Sequence, residues 1–298
     1  MVQVGRLRYR LLAEHGGSPL IAWVREGRDL SQNQARKLIE TGKVYLDGEP
    51  CLDWRTPVRQ GADVSVDTDR KKPARLQVLP DDAVVYSDDW ILVANKPAGL
   101  VSVPPTKTGE PTLQDLLAAR ARKLREHSAV VPVHRLDRET RGLMVFARGQ
   151  AAAAELLQQF REHSVHREYY AVVEGAVTQS TVEGRIDVSR QGFSDTRVSR
   201  TAITQFEPVR TSGALSLVIC RPGTGRYHQI RIVLSQMGAP IVGERQHLPA
   251  GFEPCVISRE LGLQSFLLDI QHPGSGRRMR WQLPLDPALE AMLARGRL

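Results

Sequence analysis

The stretch Val133-His134-Arg135-Leu136-Asp137-Arg138-Glu139-Thr140-Arg141-Gly142-Leu143-Met144-Val145-Phe146 constrains this chain more than any other. It sets one acid among three arginines and a histidine, then passes through Gly142 into an apolar β-type run, Leu143 to Ala147. That run reads as a buried strand. Asp137 therefore occupies a turn that opens onto a rigid element, which can hold it in place. Positive charge on Arg135, Arg138 and Arg141 favours the charged carboxylate, so Asp137 is expected to stay ionised and to be a poor general acid. A nucleophile, a general base and a structural ion pair all remain open.

What precedes this stretch divides in two. Up to about residue 70 the pattern is that of a small α+β unit. A short helix spans Leu20 to Glu26; Ser31 can cap a second from Gln32 to Thr41, which Gly42 ends. Val44 to Leu46 and Ala62 to Val66 read as strands, with Asp47-Gly48 a tight turn. On the second helix Arg36 and Lys37 sit beside Leu38 and Ile39, as either a solvated basic face or a grip for phosphates. The stretch Leu30-Ser31 through Ala35-Arg36-Lys37-Leu38-Ile39, Gly42, Val44, Leu46 and Gly48 resembles the S4-like RNA-binding domain, over roughly residues 18 to 67. The resemblance implies that Arg36, Lys37 and Lys43 meet RNA phosphates, contacts that position a protein without reading sequence. A charged, proline-containing linker, residues 71–76, would separate this domain, residues 1–70, from a second, residues 77–298.

In the second part, Ala83 to Tyr86 and Trp90 to Asn95 are β-type runs around a Ser87-Asp88-Asp89 turn. Asn95-Lys96-Pro97-Ala98-Gly99-Leu100 follows, with Lys96 a scaffold or RNA-facing residue. Thr112 caps a helix through His127 whose apolar face carries Leu113, Leu116, Leu117 and Leu124. Gln150 to His163 is another helix, with Ala153, Leu156, Leu157 and Phe160 as core. Glu168 to Gly175 is a strand, so Tyr169 and Tyr170 point to opposite faces. Thr201 to Val209 and Leu215 to Arg221 form an antiparallel pair. Gly223-Thr224-Gly225-Arg226-Tyr227-His228-Gln229-Ile230-Arg231 leads into a helix whose first turn can bind an anion, but no Gly-Lys-Ser/Thr follows as in a P-loop. Ser265 to Gln271 and Met279 to Leu283 read as outer strands.

Four of these segments, in order, resemble the RluA-type pseudouridine synthases: Asn95 to Leu100, His134 to Leu143, Glu168 to Gly175, and Gly225 to Arg231 continuing through Ala239 to Glu244. Four positions depart from the family pattern: Arg141 stands for serine, Tyr227 for threonine, Val233 for a common histidine, and Glu244 for aspartate. The resemblance implies a mixed α/β catalytic domain built on a central, mostly antiparallel sheet. It also implies that uridine in RNA becomes pseudouridine, with Asp137 as the catalytic aspartate, Tyr169 at the uracil and Arg231 paired with Asp137. Asp137 could act covalently or remove a proton for a glycal-type elimination. Arg231 would hold its carboxylate bidentately. The base must leave its stack to reach Asp137. Arg135 could fill the gap or grip a phosphate, Arg226 is a further RNA contact, and Ile230 could line the uracil pocket. The isomerisation moves no electrons to or from a carrier, so no cofactor is expected.

Charge agrees with an RNA partner, since 41 Lys and Arg against 33 Asp and Glu leave +8, but charge alone prefers nucleic acid over a membrane surface only weakly. No apolar run approaches the ~20 residues that span a bilayer. Cys51, Cys220 and Cys255 are scattered and odd in number, the eight histidines show no metal pairing, and no signal-peptide core is present. A cytoplasmic monomer without metal is therefore expected. Ribosomal RNA is expected ahead of transfer RNA because of the S4-like domain. The competing readings are a non-catalytic RNA chaperone on the same fold and a charge-driven regulator, for which no helix-turn-helix pattern appears.

Overall fold

The computed structural model describes residues 8–12, 17–27, 29–47, 49–51, 54–67, 79–104, 111–126, 128–189, 197–254, 258 and 260–296. The 71–76 linker, Gly48, His127 and Cys255 lie outside them. Contacts divide the chain into two units, Met1–Gln77 and Val78–Leu298.

The first unit runs β1 (Arg8–Leu12), α1 (Leu20–Glu26), α2 (Gln32–Glu40), β2 (Val44–Leu46), β3 (Glu49–Pro50) and β4 (Asp63–Asp67). Its antiparallel sheet has the order β1-β4-β2-β3. The helices cover it with a core of their own, including Leu20, Val24, Ala35, Ile39, Val44, Val58 and Val64. Ser31 and Gln34 close a reciprocal capping box at the start of α2, which satisfies two otherwise orphaned amides. Ala35, Leu38 and Ile39 face inward on α2, so Arg36 and Lys37 are exposed on its other side.

The second unit continues with β5 (Val84–Ser87), β6 (Ile91–Lys96), α3 (Leu113–Lys123), β7 (Val130–Pro132), β8 (Arg141–Arg148), α4 (Gln150–Arg161), β9 (His166–Glu174) and β10 (Ser180–Ser189). Then come β11 (Arg197–Ser212), β12 (Leu215–Pro222), α5 (Gln229–Gln236), β13 (Leu263–Gln271), β14 (Arg278–Gln282) and α6 (Pro287–Arg295). One mixed sheet takes the order β10-β11-β12-β9-β13-β8-β6-β5, with β14 on β13 and β7 on β8. Among the described residues every pairing in this sheet is antiparallel except β13 with β8. The expected mixed, mostly antiparallel sheet is therefore the one present.

Strand β8 is buried along its whole length. Its alternating side chains feed two separate cores: Met144 and Phe146 join one, Leu143, Val145 and Ala147 the other. Burial on both faces explains its near-continuous apolar sequence. Gly142 makes the parallel pairing possible. Its φ is +109°, and a Cβ there would lie 2.1 Å from the Ser265 carbonyl oxygen. The strand after the Asp137 turn can thus lie against β13 only without a side chain at this position.

Three expectations are corrected. The run from Ser265 is no outer strand: β13 lies in the middle of the sheet, between β9 and β8. Its polar residues have partners in the interior: Ser265 Oγ donates to the Leu143 carbonyl at 3.1 Å, and Gln264 is satisfied by Pro284 and Asp286. Leu124 is 56% exposed because α3 has already ended at Lys123. Leu157 is exposed on α4, whereas Gln159 is buried, bonded to the backbone of Gln271 in both directions.

Candidate active site

The Asp137 turn is fastened from below. Ser102 Oγ donates to the Leu136 carbonyl at 2.6 Å and accepts the Leu136 amide at 3.1 Å. Lys96 is fully buried, and its ammonium donates to the carbonyls of Pro97, Leu100 and Arg138 at 2.9, 2.7 and 2.8 Å. Burial pushes its pKa down to about 7, against the pull of Glu139 and Asp137. Of the two roles expected for Lys96, the scaffold is the one its geometry allows. His134 Nε2 accepts the Val145 amide at 3.0 Å, and its ring stacks on Phe160 with centroids 4.7 Å apart. Burial brings this imidazole down to about 3, so it is neutral.

The charge around Asp137 differs from the expectation. Arg141 turns away to Asp286 and Glu260, at 2.7 and 2.6 Å. Burial is the largest influence on Asp137 and raises its pKa above the ordinary carboxylate value, against the attraction of Arg231, Arg135 and Lys96. Removal of the carboxylate from water outweighs the arginines in the turn.

Arg231 also departs from the expectation. It is buried on α5, and its fork closes on Glu244: Nε to Oε2 at 2.6 Å and Nη2 to Oε1 at 2.8 Å. Nη1 donates to His228 Nε2 at 3.1 Å and lies 3.7 Å from Asp137 Oδ2. The contact with Asp137 is therefore one ion pair, longer than a hydrogen bond, and the bidentate partner is Glu244. Glu244 also accepts the backbone amides of Arg245, Gln246 and His247. Burial alone would raise its pKa, but Arg231, and after it the Gln246 amide, hold it at about 2. Gly243 permits the turn: its φ is +81°, and a Cβ would lie 2.2 Å from the Glu260 carbonyl oxygen.

His228 caps α5 in the left-handed region, with φ 51°. It accepts from Arg231 at Nε2, so its proton is on Nδ1, 2.8 Å from His247 Nε2. Burial, then Arg231, brings it down to about 3. Its Nε2 stands 3.5 Å from Asp137 Oδ1, and with a neutral ring this is an approach of two acceptors rather than an ion pair. Tyr227 stacks on His228 with centroids 3.7 Å apart and is 41% exposed.

These groups open into a cleft of about 580 Å³ whose lining includes Asp137, Tyr169, Ile230, Arg231, Arg135 and Arg226. The structure thus brings together six of the residues singled out in the sequence. Tyr169 and Ile230 are buried in its wall. Arg135 is exposed, and Arg226 donates to the Thr201 carbonyl at 3.2 Å. Tyr170 points the other way and stacks on Phe266, with centroids 3.7 Å apart. Arg36, Lys37 and Lys43 belong to the first unit, where Arg36 pairs with Glu40 at 2.6 Å and lies 5.6 Å from the Trp54 ring. The Glu244–Arg231–His228–His247 relay was missed. Its acid was visible only as a motif position, Glu244, directly after a glycine in an otherwise apolar turn. Among the described residues, no group of three or more His, Cys, Asp or Glu side chains could hold a metal ion, and no helix is long and apolar enough to cross a membrane.

Residues 90–236 match the family model described as RNA pseudouridylate synthase. A protein of Pseudomonas aeruginosa named ribosomal large subunit pseudouridine synthase D is 30% identical, over 95% of this chain and 88% of its own length. One of the same name from Xanthomonas campestris is 32% identical, over 89% of this chain and 85% of its own. The solved structure of human RNA pseudouridylate synthase domain containing 4 shares the fold, with a TM-score of 0.60 at 23% identity, over 72% of this chain and 93% of that one. With four motifs in order, a shared fold and relatives matched along most of their length, the chain belongs to the RluA-type family of RNA pseudouridine synthases.

Proposed function

We propose that this enzyme isomerises uridine within structured ribosomal RNA, with Asp137 as the catalytic carboxylate. The observation that carries this reading is the cleft in which Asp137, Tyr169, Ile230 and Arg231 meet, rimmed by Arg135 and Arg226. The reaction breaks the N1–C1′ bond and joins C5 to C1′; C5 loses its proton and N1 gains one. Asp137, raised by burial, is either a nucleophile at C1′ or a base that removes a sugar proton and returns it. Tyr169 faces the base and can receive the proton of carbon 5. Ile230 lines the uracil pocket. Arg231 lends Asp137 a fixed positive charge while Glu244 keeps its plane in place. Arg135 and Arg226 contact the RNA backbone, and Arg135 can fill the gap a flipped base leaves.

Residues 1–70 are an S4-like domain that adds phosphate contacts through Arg36, Lys37 and Lys43. The protein acts in the cytoplasm as a monomer. Ribosomal RNA is favoured over transfer RNA because the relatives that match most of the chain carry a ribosomal large subunit name. Release of tritium from carbon-5-labelled uridine, in large-subunit rRNA and tRNA transcripts, tests the reading. Release from the rRNA alone is expected, and Asp137→Asn should abolish it while RNA binding survives. Release from tRNA alone overturns the substrate, and undiminished release by the variant overturns the role of Asp137.

A further inference from the structure

The cleft does not end beside Asp137. Phe160, His163 and Arg167 line both it and a second hollow of about 220 Å³, whose lining also includes His166, Ile203 and Arg221. Arg167 stands two residues before Tyr169 on β9, hence on the same face of the strand. Its guanidinium carbon lies 5.5 Å from the Phe160 ring centroid. Its Nε is buried with no hydrogen-bond partner.

Neighbouring cations are differently placed. Arg221 pairs with Glu207 and Glu168 at 2.6 and 3.3 Å, Arg231 pairs with Glu244, and Arg226 donates to Thr201. Among the described residues, no carboxylate or carbonyl takes the guanidinium of Arg167. A half-buried guanidinium without a counter-ion is unfavourable unless a ligand completes it. Its planar fork and position between two hollows suit a phosphodiester joining what fills one to what fills the other.

We propose that Arg167 binds the phosphate linking the target uridine to an adjacent nucleotide, and that the second hollow receives that nucleotide. This rests on the assignment of the Asp137 pocket to the target uridine. The site makes the enzyme read a dinucleotide step, with the neighbour held by shape and by the Phe160 edge of the cleft.

The test uses the full chain and short rRNA-derived hairpins around a mapped target uridine. One hairpin has only phosphates; others carry a single neutral methylphosphonate at either linkage flanking that uridine. Arg167→Gln should raise KM for the all-phosphate hairpin roughly ten- to a hundredfold with kcat little changed, and Arg167→Lys should recover part of the loss. For the wild type, one flanking methylphosphonate should cost a similar factor, and at that linkage Arg167→Gln should add no further loss. Additive losses at both linkages, or a loss in kcat with KM unchanged, would overturn the proposal. Should Arg167→Gln fail to fold, the wild-type hairpins decide alone, since indifference to both linkages refutes it. Failure of the underlying reading is distinguishable, because it would show as activity retained by Asp137→Asn on the all-phosphate hairpin.

Discussion

Glu244→Gln tests the electrostatic frame of the site. Glu244 is 2% exposed, accepts both bonds of the Arg231 fork, and also takes three backbone amides. Its folded pKa of about 2 lies below the ordinary value of 4.5. A carboxylate depressed on folding contributes stability that is present above its unfolded pKa and lost as pH falls through the folded one. The size of the depression corresponds to ~3 kcal/mol at pH 7, falling to less than about half of that at pH 3. Glutamine keeps the shape but does not titrate, and it turns an N–H₂ toward a guanidinium that can only donate. The variant should therefore be less stable by ~3 kcal/mol at pH 7, as expected when one partner of a buried pair is removed, and the gap should narrow in acid. Urea unfolding of both proteins at pH 7, 5 and 3 measures it. A gap below ~1 kcal/mol, or one constant over this range, would show that Glu244 does not hold Arg231 as a buried charged pair.

Arg231→Lys should lower the single-turnover rate by about one to two decades with RNA affinity little changed, because one ammonium cannot serve Glu244, His228 and Asp137 together; near-normal rate with weakened binding would make Arg231 an RNA contact. Because burial raises the pKa of Asp137, the single-turnover rate should fall on the acid side at a pH above the ordinary aspartate value of 3.8; an acid limb at or below that value would leave no place for desolvation. Deleting residues 1–77 should leave a folded unit by circular dichroism, since the remainder has its own cores. The same deletion should flatten the log-affinity against log-salt slope by roughly 0.7–0.9 for every phosphate that the first unit neutralises, and an unchanged slope would refute RNA binding by that unit.

Local chemistry made much of the fold legible. Ser31 and Thr112 announced two helix starts, where the structure closes capping boxes, and the Leu143–Ala147 run announced a buried strand. The central place of strand β13 was not legible, because its polar residues are satisfied by partners distant in sequence: Gln264 by Pro284 and Asp286, Ser265 by Leu143. The site divides the same way. Asp137, Tyr169 and Arg231 could be named from their motifs, and they line one cleft. The direction of each charge could not, because proximity along the chain is a poor guide to electrostatic partners. Arg141, four residues from Asp137, serves Asp286 and Glu260, while the arginine nearest in effect comes from α5. Arg167 went unnoticed because one basic residue in a strand looks like any solvated side chain until its lack of a counter-ion is seen.

The division of labour at Arg231 has a chemical consequence. Had its fork closed on Asp137, the carboxylate would have received two charge-assisted hydrogen bonds, and its pKa would have fallen as that of Glu244 does. Such a carboxylate is a weak base and a weak nucleophile. Glu244 takes the fork instead, and Asp137 keeps one cation at 3.7 Å, a neutral imidazole and partial burial. These conditions leave the carboxylate under-stabilised, which in the role proposed for Asp137 keeps its electron pair available to the sugar. On the proposed reading Arg231 need not move during the reaction, because Glu244 already holds its fork. A donor that needs no reorganisation as charge develops is the form of electrostatic assistance an enclosed site supplies best. The buried Glu244–Arg231 pair is thus better understood as a mount for the positive charge that faces Asp137 than as a contribution to stability alone.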